Sequence, residues 1–317
     1  MWFKHLHLYR LHDGPSIDAG QLETVLSEQA FRPLGSAEAR RIGWTTPAGR
    51  AGVQYLHELQ GQRLMTALRQ ERILPASVVK EEVEERTEAI ETQEGRKLRR
   101  QEKQDIKEQV YEELLPRAFV RSQKTDLWWD TRRGLIAVNT SSRKRAEELL
   151  DLLRETLGSL KVTPLAAQTL PIRAMTTWLT DPGSRPSDMV MGDQVELKAK
   201  GDDGVLRAKQ VDLDSDDIQR LLEHDRQASK LALGLEGRLR FVLHDDLAVK
   251  SLSFDDALVE EANQSEDGDD ALVRLETDFL LMTQALGDAV DRLLDWLGGE
   301  AQSPSSVVSP DLATTTS

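Results

Sequence analysis

The sequence predicts an α+β fold: small antiparallel sheets with helices, interrupted by one long helical projection. Three observations carry this expectation. Strand-like runs pair across short polar turns in both halves, residues 126–130 with 135–140 and residues 194–200 with 205–211. Helix-like runs stand between these hairpins rather than alternating strictly with single strands, which favours α+β over a parallel α/β sheet. Residues 77–114 are long, highly charged and free of strand signals.

In chain order, residues 2–11 alternate as a strand, and residues 17–31 read as an amphipathic helix with Asp18 near its start. Residues 40–46 and 62–71 read as strands, the second running out at Ile73-Leu74-Pro75. In the projection, Val79, Val83, Ile90, Leu98, Ile106, Val110 and Leu114 recur at four, seven or eight residues, a narrow helical stripe. Ser77 stands at the expected N-cap, with Lys80 where a capping box would carry Glu. Glu81, Glu82, Glu84 and Glu85 fill the first turns, where the helix dipole favours anions. Gly95 costs a helix interior about 1 kcal/mol, so a kink or a junction of two helices is expected there. Pro116 ends the helix near Leu114.

The 126–130 and 135–140 hairpin turns at Arg132-Arg133-Gly134, and Ser141 or Ser142 caps a helix ending near Gly158. The second-half hairpin turns at Gly-Asp-Asp-Gly. Asp214 or Ser215 caps a helix expected to carry Ile218, Leu221, Leu222, Leu231 and Leu233. Residues 238–244 and 248–254 flank Asp245-Asp246 as a further hairpin, residues 272–276 read as a short strand, and residues 279–297 as a helix ended by Gly298-Gly299. Residues 260–270 read as an acidic loop, and 301–317 as a disordered Ser/Thr/Pro-rich tail. The expected domains are a discontinuous central one (1–75 and 117–165), a helical tip (76–116), a second α+β domain (166–300) and the tail.

Length and composition set limits. A chain of 317 residues accommodates two or three domains, and 39% hydrophobic content supports a core. No apolar run approaches the roughly 18 residues that span a bilayer. The first ten residues contain charges and histidines and lack a small-residue cleavage site, so they do not read as a signal peptide. The chain has no cysteine, which fits a reducing cytoplasm. Net charge is −14, which at first sight argues against nucleic acid. The distribution argues otherwise. Residues 96–145 hold fourteen cations against seven anions, or +7, leaving −21 on the remainder. A basic stripe on an acidic body suits a protein that offers one face to a polyanion, although a solvated helix of mixed charge gives the same count.

Catalytic candidates are few. Glu196-Leu197-Lys198 on a strand, with Asp188 or Asp193 upstream, matches the acid and acid-x-Lys pattern by which metal-dependent nucleases hold Mg²⁺ and assist the attacking water. A strand with an exposed polar face produces the same short pattern. His5 and His7 share one strand face as a potential metal pair, without a third ligand in view. No Gly-rich phosphate loop and no nucleophile elbow occurs, and no cofactor is expected. Trp128 and Trp129 alternate, so one ring is expected in the core and the other more exposed. Phe119, between Arg117 and Arg121, either packs as the chain rejoins the sheet or meets a partner subunit.

Several short motifs resemble those of the RdgC family of recombination-associated proteins. They are Trp2-Phe3-Lys4, Gly43-Trp44, Ile73-Leu74-Pro75, the run from Leu114 to Phe119 followed by Trp129-Asp130, Leu157-Gly158-Ser159-Leu160 and Thr177-Trp178. Leu206-Arg207-Ala208-Lys209, Lys230-Leu231-Ala232-Leu233 and the run from Asp278 to Thr283 continue the match in order and spacing to about Glu300. The resemblance implies a cytoplasmic, nucleoid-associated protein that binds duplex and single-stranded DNA with little sequence preference. It further implies competition with the RecA recombinase for DNA, and a homodimeric ring around the duplex with Phe119 near its closure. Matching basic positions are Arg96, Lys97, Arg99, Arg100, Arg117, Arg207 and Lys209, and Lys103, Arg121 and Lys124 join them as expected DNA-binding residues. Where some relatives carry two adjacent lysines, this chain has Lys209-Gln210, so one phosphate contact is expected to be missing. The expectation is thus a DNA-binding homodimer without catalysis, with a Mg²⁺-dependent nuclease using Asp188 or Asp193, Glu196 and Lys198 as the alternative.

Overall fold

The computed structural model describes residues 2–13, 17–199, 201, 204–264 and 271–301. The chain opens with β1 (His5–His12) and α1 (Ala19–Glu28). Asp18 starts α1 by accepting the Gln21 N–H at 2.8 Å, and the Gln21 side chain accepts the Asp18 N–H in return. β2 (Arg40–Thr45), β3 (Leu56–Leu59) and β4 (Gln62–Ile73) follow, then α2 (Ala76–Glu94) and α3 (Arg100–Leu114). Gly95, at φ 65°, makes the expected break between the two helices in a conformation that side chains other than glycine rarely take. The N-cap of α2 is Pro75 rather than Ser77. The Pro75 backbone is extended, and its carbonyl accepts the N–H groups of Val78 and Val79, so Ser77 falls inside the first turn.

Then come β5 (Phe119–Asp130), β6 (Leu135–Val138), α4 (Arg143–Leu157), β7 (Lys161–Pro164) and α5 (Pro171–Thr180). The chain continues through β8 (Met189–Ala199), β9 (Val205–Lys209), α6 (Asp216–Glu223), β10 (Arg226–Leu235), β11 (Leu239–His244) and β12 (Val249–Phe254), and closes with α7 (Asp256–Gln264) and α8 (Ala271–Trp296). The α+β expectation holds, with mostly antiparallel sheet.

Four local expectations are corrected. Leu231 and Leu233 lie on β10, because Asp225 at φ 55° follows the end of α6 and the chain turns back as a strand. Residues 272–276 form the first turns of α8, where Leu275 is buried in helical register with Phe279 and Met282. Residues 260–264 belong to α7; residues 265–270 lie outside the described set, as do Asp202 and Asp203 of the Gly-Asp-Asp-Gly turn and residues 302–317 of the tail. β5 begins at Phe119, seven residues before its expected start, and β3, β7 and α5 are additions that the periodicity did not announce.

Contacts gather the chain into two units. One holds Gly14–Trp129 and Lys144–Leu160; the other holds Met1–Asp13, Asp130–Arg143 and Lys161–Ser317. In the first, β4 lies between β2 and β5 and also pairs with β3; Trp44 stands opposite Ala67 and Leu56 opposite Met65. Helices α1 and α4 contribute Leu22, Leu26, Leu149 and Leu153 to its core, each about 1.5–3 kcal/mol of burial. The Trp44 indole N–H donates to Thr156 at 2.8 Å, which satisfies its one polar group away from water. In the second unit the strand order is β6-β1-β12-β11-β10-β8-β9, with β7 also on β1. Phe279, Met282, Leu286 and Leu293 of α8 are buried in that unit.

Candidate nucleic-acid interface

The tip is a hairpin of α2 and α3, which pack chiefly on each other and on the short turn at Leu115–Arg117. Its apolar seam is thin, as the stripe predicts: Val79, Leu98 and Val110 are buried, whereas Val83, Ile90, Ile106 and Leu114 are half-buried. Charge completes the hairpin at both ends. Arg86 bridges Glu82 and Glu113, each at 2.7 Å. Glu91 accepts from Lys97 at 2.6 Å, from Lys103 at 3.1 Å and from the Leu98 N–H at 3.0 Å. These contacts, Lys97 foremost, hold the Glu91 carboxyl down at about 2. Arg96 grips Glu102 at 2.6 Å and Glu94 at 2.7 Å, and Glu102 is likewise held at about 2, by Arg96 and by the Arg99 N–H.

Three of the expected DNA-binding cations, Arg96, Lys97 and Lys103, are therefore already engaged inside the tip. Arg99 and Arg100 are different. Both are exposed at the start of α3, and neither side chain forms an ion pair among the described residues. Cations at a helix N-terminus add to the positive end of its dipole instead of neutralising it, an arrangement that costs the helix about 0.3–1 kcal/mol per charge and offers the combined field to anions. Only the Arg99 backbone N–H, donating to Glu102 at 2.7 Å, is used for capping.

Below the tip, three contacts set the register of β5 on β4: Thr66 with Asp126, Gln70 with Ser122 and Glu71 with Arg121. Strand alternation then sends Arg121 and Lys124 to opposite faces. Arg121 is tied to Glu71 at 3.0 Å, while Lys124 and Arg117 are exposed without an ion pair among the described residues. The same register sets Phe119 opposite Ile73. Phe119 is 86% exposed and Ile73 44%. Of the two readings of Phe119, packing into its own sheet is excluded. Trp128 and Trp129 correct the expectation of one exposed ring, for both are buried: Trp128 donates to Gln62 at 2.7 Å, and Trp129 lies under the Arg63 guanidinium at 5.0 Å.

In the other unit, Arg207 and Lys209 point from one face of β9, opposite Glu196 and Gln194 of β8. Lys209 is exposed without an ion pair among the described residues, and Gln210 takes a left-handed φ of 56° directly after it. Arg207 donates to the buried Glu196 at 2.7 Å, Lys230 of β10 does so at 2.7 Å, and Ser229 at 2.9 Å. Burial works against the Glu196 charge, yet Lys230, Arg207 and Ser229 outweigh it and hold the carboxyl down at about 2.

A profile of one family, described as "Putative exonuclease, RdgC", matches residues 1–300. The chain belongs to the RdgC family. Recombination-associated protein RdgC of Tolumonas auensis is 40% identical over 301 residues, covering 95% of this chain and 99% of that one. The namesake from Aeromonas hydrophila is 40% identical over 304 residues (96% and 100%), and that of Yersinia enterocolitica 41% over 303 residues (95% and 99%).

In this RdgC chain the acid and acid-x-Lys pattern is engaged in other contacts. Asp188 accepts from the Trp296 indole at 2.9 Å and faces Arg292 at 3.4 Å; Lys198 pairs with Asp245 at 3.2 Å; Glu196 is taken by two cations. Asp193 is exposed. Among the described residues no three His, Asp or Glu side chains converge on a point where they could hold a metal ion, His5 and His7 included. No helix among the described residues is long and apolar enough to cross a membrane. The basic residues that sequence reasoning missed are Lys230 and Lys250. Neither belongs to a basic cluster in the sequence, and only cross-strand register brings them together with Arg207 and Lys209.

Proposed function

We propose that this RdgC-family protein binds DNA without sequence preference, acts as a homodimer that closes around the duplex, and by occupying DNA restrains RecA in homologous recombination. One observation carries the DNA reading: Arg99 and Arg100 stand exposed, with no ion pair among the described residues, at the positive end of α3, on a hairpin whose Arg86, Arg96, Lys97 and Lys103 are engaged by carboxylates. Arg117, Lys124 and Lys209 are the further free cations in this reading, and the relatives' shared name supports the recombination setting. Lys and Arg on phosphates give affinity without base readout, and no recognition-helix motif is present in the sequence. Phe119 with Ile73 supports the dimer contact, because an 86% exposed phenylalanine on an ordered strand suits a partner surface. The family's printed description also names an exonuclease; the ion pairs of Glu196 and Lys198 favour binding over hydrolysis.

The test is binding to unrelated duplexes across a salt series. Affinity is expected to be nearly equal among sequences and to fall with a log–log slope of about −0.9 per phosphate neutralised. Changing Arg99 and Arg100 together to Ala flattens the slope by about one to two units. A slope near zero, or strong preference for one duplex, contradicts the reading. In the same preparations, supercoiled plasmid with Mg²⁺ or Mn²⁺ is expected to stay uncut. Cleavage that disappears in both Glu196→Ala and Lys198→Ala establishes the nuclease instead.

A further inference from the structure

Residues directly opposed across an antiparallel ladder put their side chains on the same face of the sheet. In the second unit, Arg207 opposes Glu196, Glu196 opposes Lys230, and Lys230 opposes His244; Lys250 opposes both Val242 and His5. Val242 and His244 lie two residues apart on one face of β11, so these side chains share one face across six strands. With Lys209 they line a single cavity of about 260 Å³, just below the roughly 300–1,000 Å³ typical of small-ligand sites. Four of the lining groups are cations and one is an anion. That anion is saturated by Lys230, Arg207 and Ser229, whereas Lys209 and Lys250 form no ion pair among the described residues.

The backbone aims these groups deliberately. The β11–β12 register slips between Arg240 and Val242, and Ser251 beside it takes a left-handed φ of 53°. A bulge of this kind re-aims its neighbours, and strained non-glycine residues gather at functional sites. The imidazoles report the field. Burial first, then Lys250 and Lys230, pushes His244 down to about 4, and burial with Lys250 lowers His5 and His7 as well. This face therefore presents neutral rings and unneutralised ammonium groups, a surface that repels metal ions and favours a compact anion with several acceptor oxygens.

We propose that this cavity binds a phosphate-type dianion, with Lys250 and Lys209 as donors and Lys230 and Arg207 completing the cage. The chemistry is that of a phosphomonoester, carried either by a mononucleotide or by the phosphorylated end of a nucleic-acid strand. Two of the residues also belong to the DNA reading above, but the site does not depend on it, since a free inorganic dianion is enough to occupy it.

The test uses the full chain without DNA and sulfate as probe, because sulfate keeps two charges throughout the pH range used. Calorimetry at constant ionic strength is expected to show saturable binding at one site per chain, with a shift of the His244 resonances. Lys250→Gln, which breaks no ion pair, weakens binding about tenfold, and Lys250→Arg restores most of it. The anion raises the His244 proton affinity above its free value of about 4. Binding is therefore linked to proton uptake, and sulfate affinity rises as pH falls from 6 towards 4, where His244 titrates. The charged and titratable groups around the ring are Lys230, Lys250, His5, Glu196, Asp245 and Asp246, and replacing His244 with Gln removes the rise if His244 is its source. Tighter binding of a 5′-phosphorylated oligonucleotide than of its 5′-hydroxyl twin assigns the site to strand ends; equal binding of the two, with adenosine 5′-monophosphate competing against sulfate, assigns it to mononucleotides. Absence of saturable sulfate binding, or equal affinity in Lys250→Gln, overturns the proposal.

Discussion

Glu196 concentrates the chemistry of the second unit in one side chain. It is 5% exposed and accepts from Arg207, Lys230 and Ser229, so its removal leaves two cations facing each other across β8. Arg207 is well exposed and can turn to water; the Ser229 hydroxyl is buried and keeps only its longer 3.2 Å bond to the Glu196 carbonyl in place of the 2.9 Å bond to the carboxylate. Glu196→Ala is expected to destabilise by about 1–3 kcal/mol in denaturant unfolding. It is also expected to steepen the salt dependence of DNA binding, because the charge that offsets Arg207 is gone. A catalytic Glu196 predicts the opposite combination, unchanged binding with loss of cleavage. The sequence shows Glu-x-Lys but not the partners of the Glu, because Lys230 lies 34 positions away and meets it only through register. For the same reason it does not separate Arg96, Lys97 and Lys103, which are spent on internal carboxylates, from Arg99 and Arg100, which are free.

The tip hairpin is held together by charge as well as by its seam. Its seam buries few apolar groups, and Glu91 and Glu102 are both held at about 2, below the ordinary carboxylate value near 4.3. A depressed folded-state value contributes stability that is complete above about pH 4.3 and disappears as pH falls towards 2. Amide exchange at Leu98 and Val110 is therefore expected to stay slow from pH 8 to 5, after correction for intrinsic rates, and to accelerate between pH 4.5 and 2. Glu91→Gln brings that acceleration to neutral pH, and equal protection at pH 2 and 7 contradicts this account. At this scale the sequence is informative where periodicity is strong: the stripe, the break at Gly95 and the Asp18 cap are all legible. It misleads where short apolar runs fit two periods. Leu272, Val273 and Leu275 alternate enough for a strand, and only their continuation into Phe279 and Met282 makes them helical. The early start of β5 is hidden because Phe119 to Lys124 are largely exposed and polar, so burial leaves no alternation to read.

For the molecule as a whole, a net charge of −14 is compatible with the DNA binding that we propose, because free cations at particular places attract a polyanion while an acidic remainder repels it elsewhere. The encirclement that we propose adds a property that charge alone does not give. Salt shrinks the Debye length to about 3 Å at 1 M, so phosphate contacts fail there, whereas a closed ring threaded on a circle stays linked. Phe119→Ser removes the exposed apolar contact without touching a phosphate ligand, so it is expected to lower high-salt retention while leaving low-salt affinity nearly unchanged. The direct measurement loads the protein at low salt on a closed circular duplex and on the same duplex linearised, then washes both at 1 M salt. The account predicts retention on the circle, loss from the line, and release when the circle is cut. Equal retention on both contradicts encirclement and leaves a dimer that holds DNA in an open basic groove.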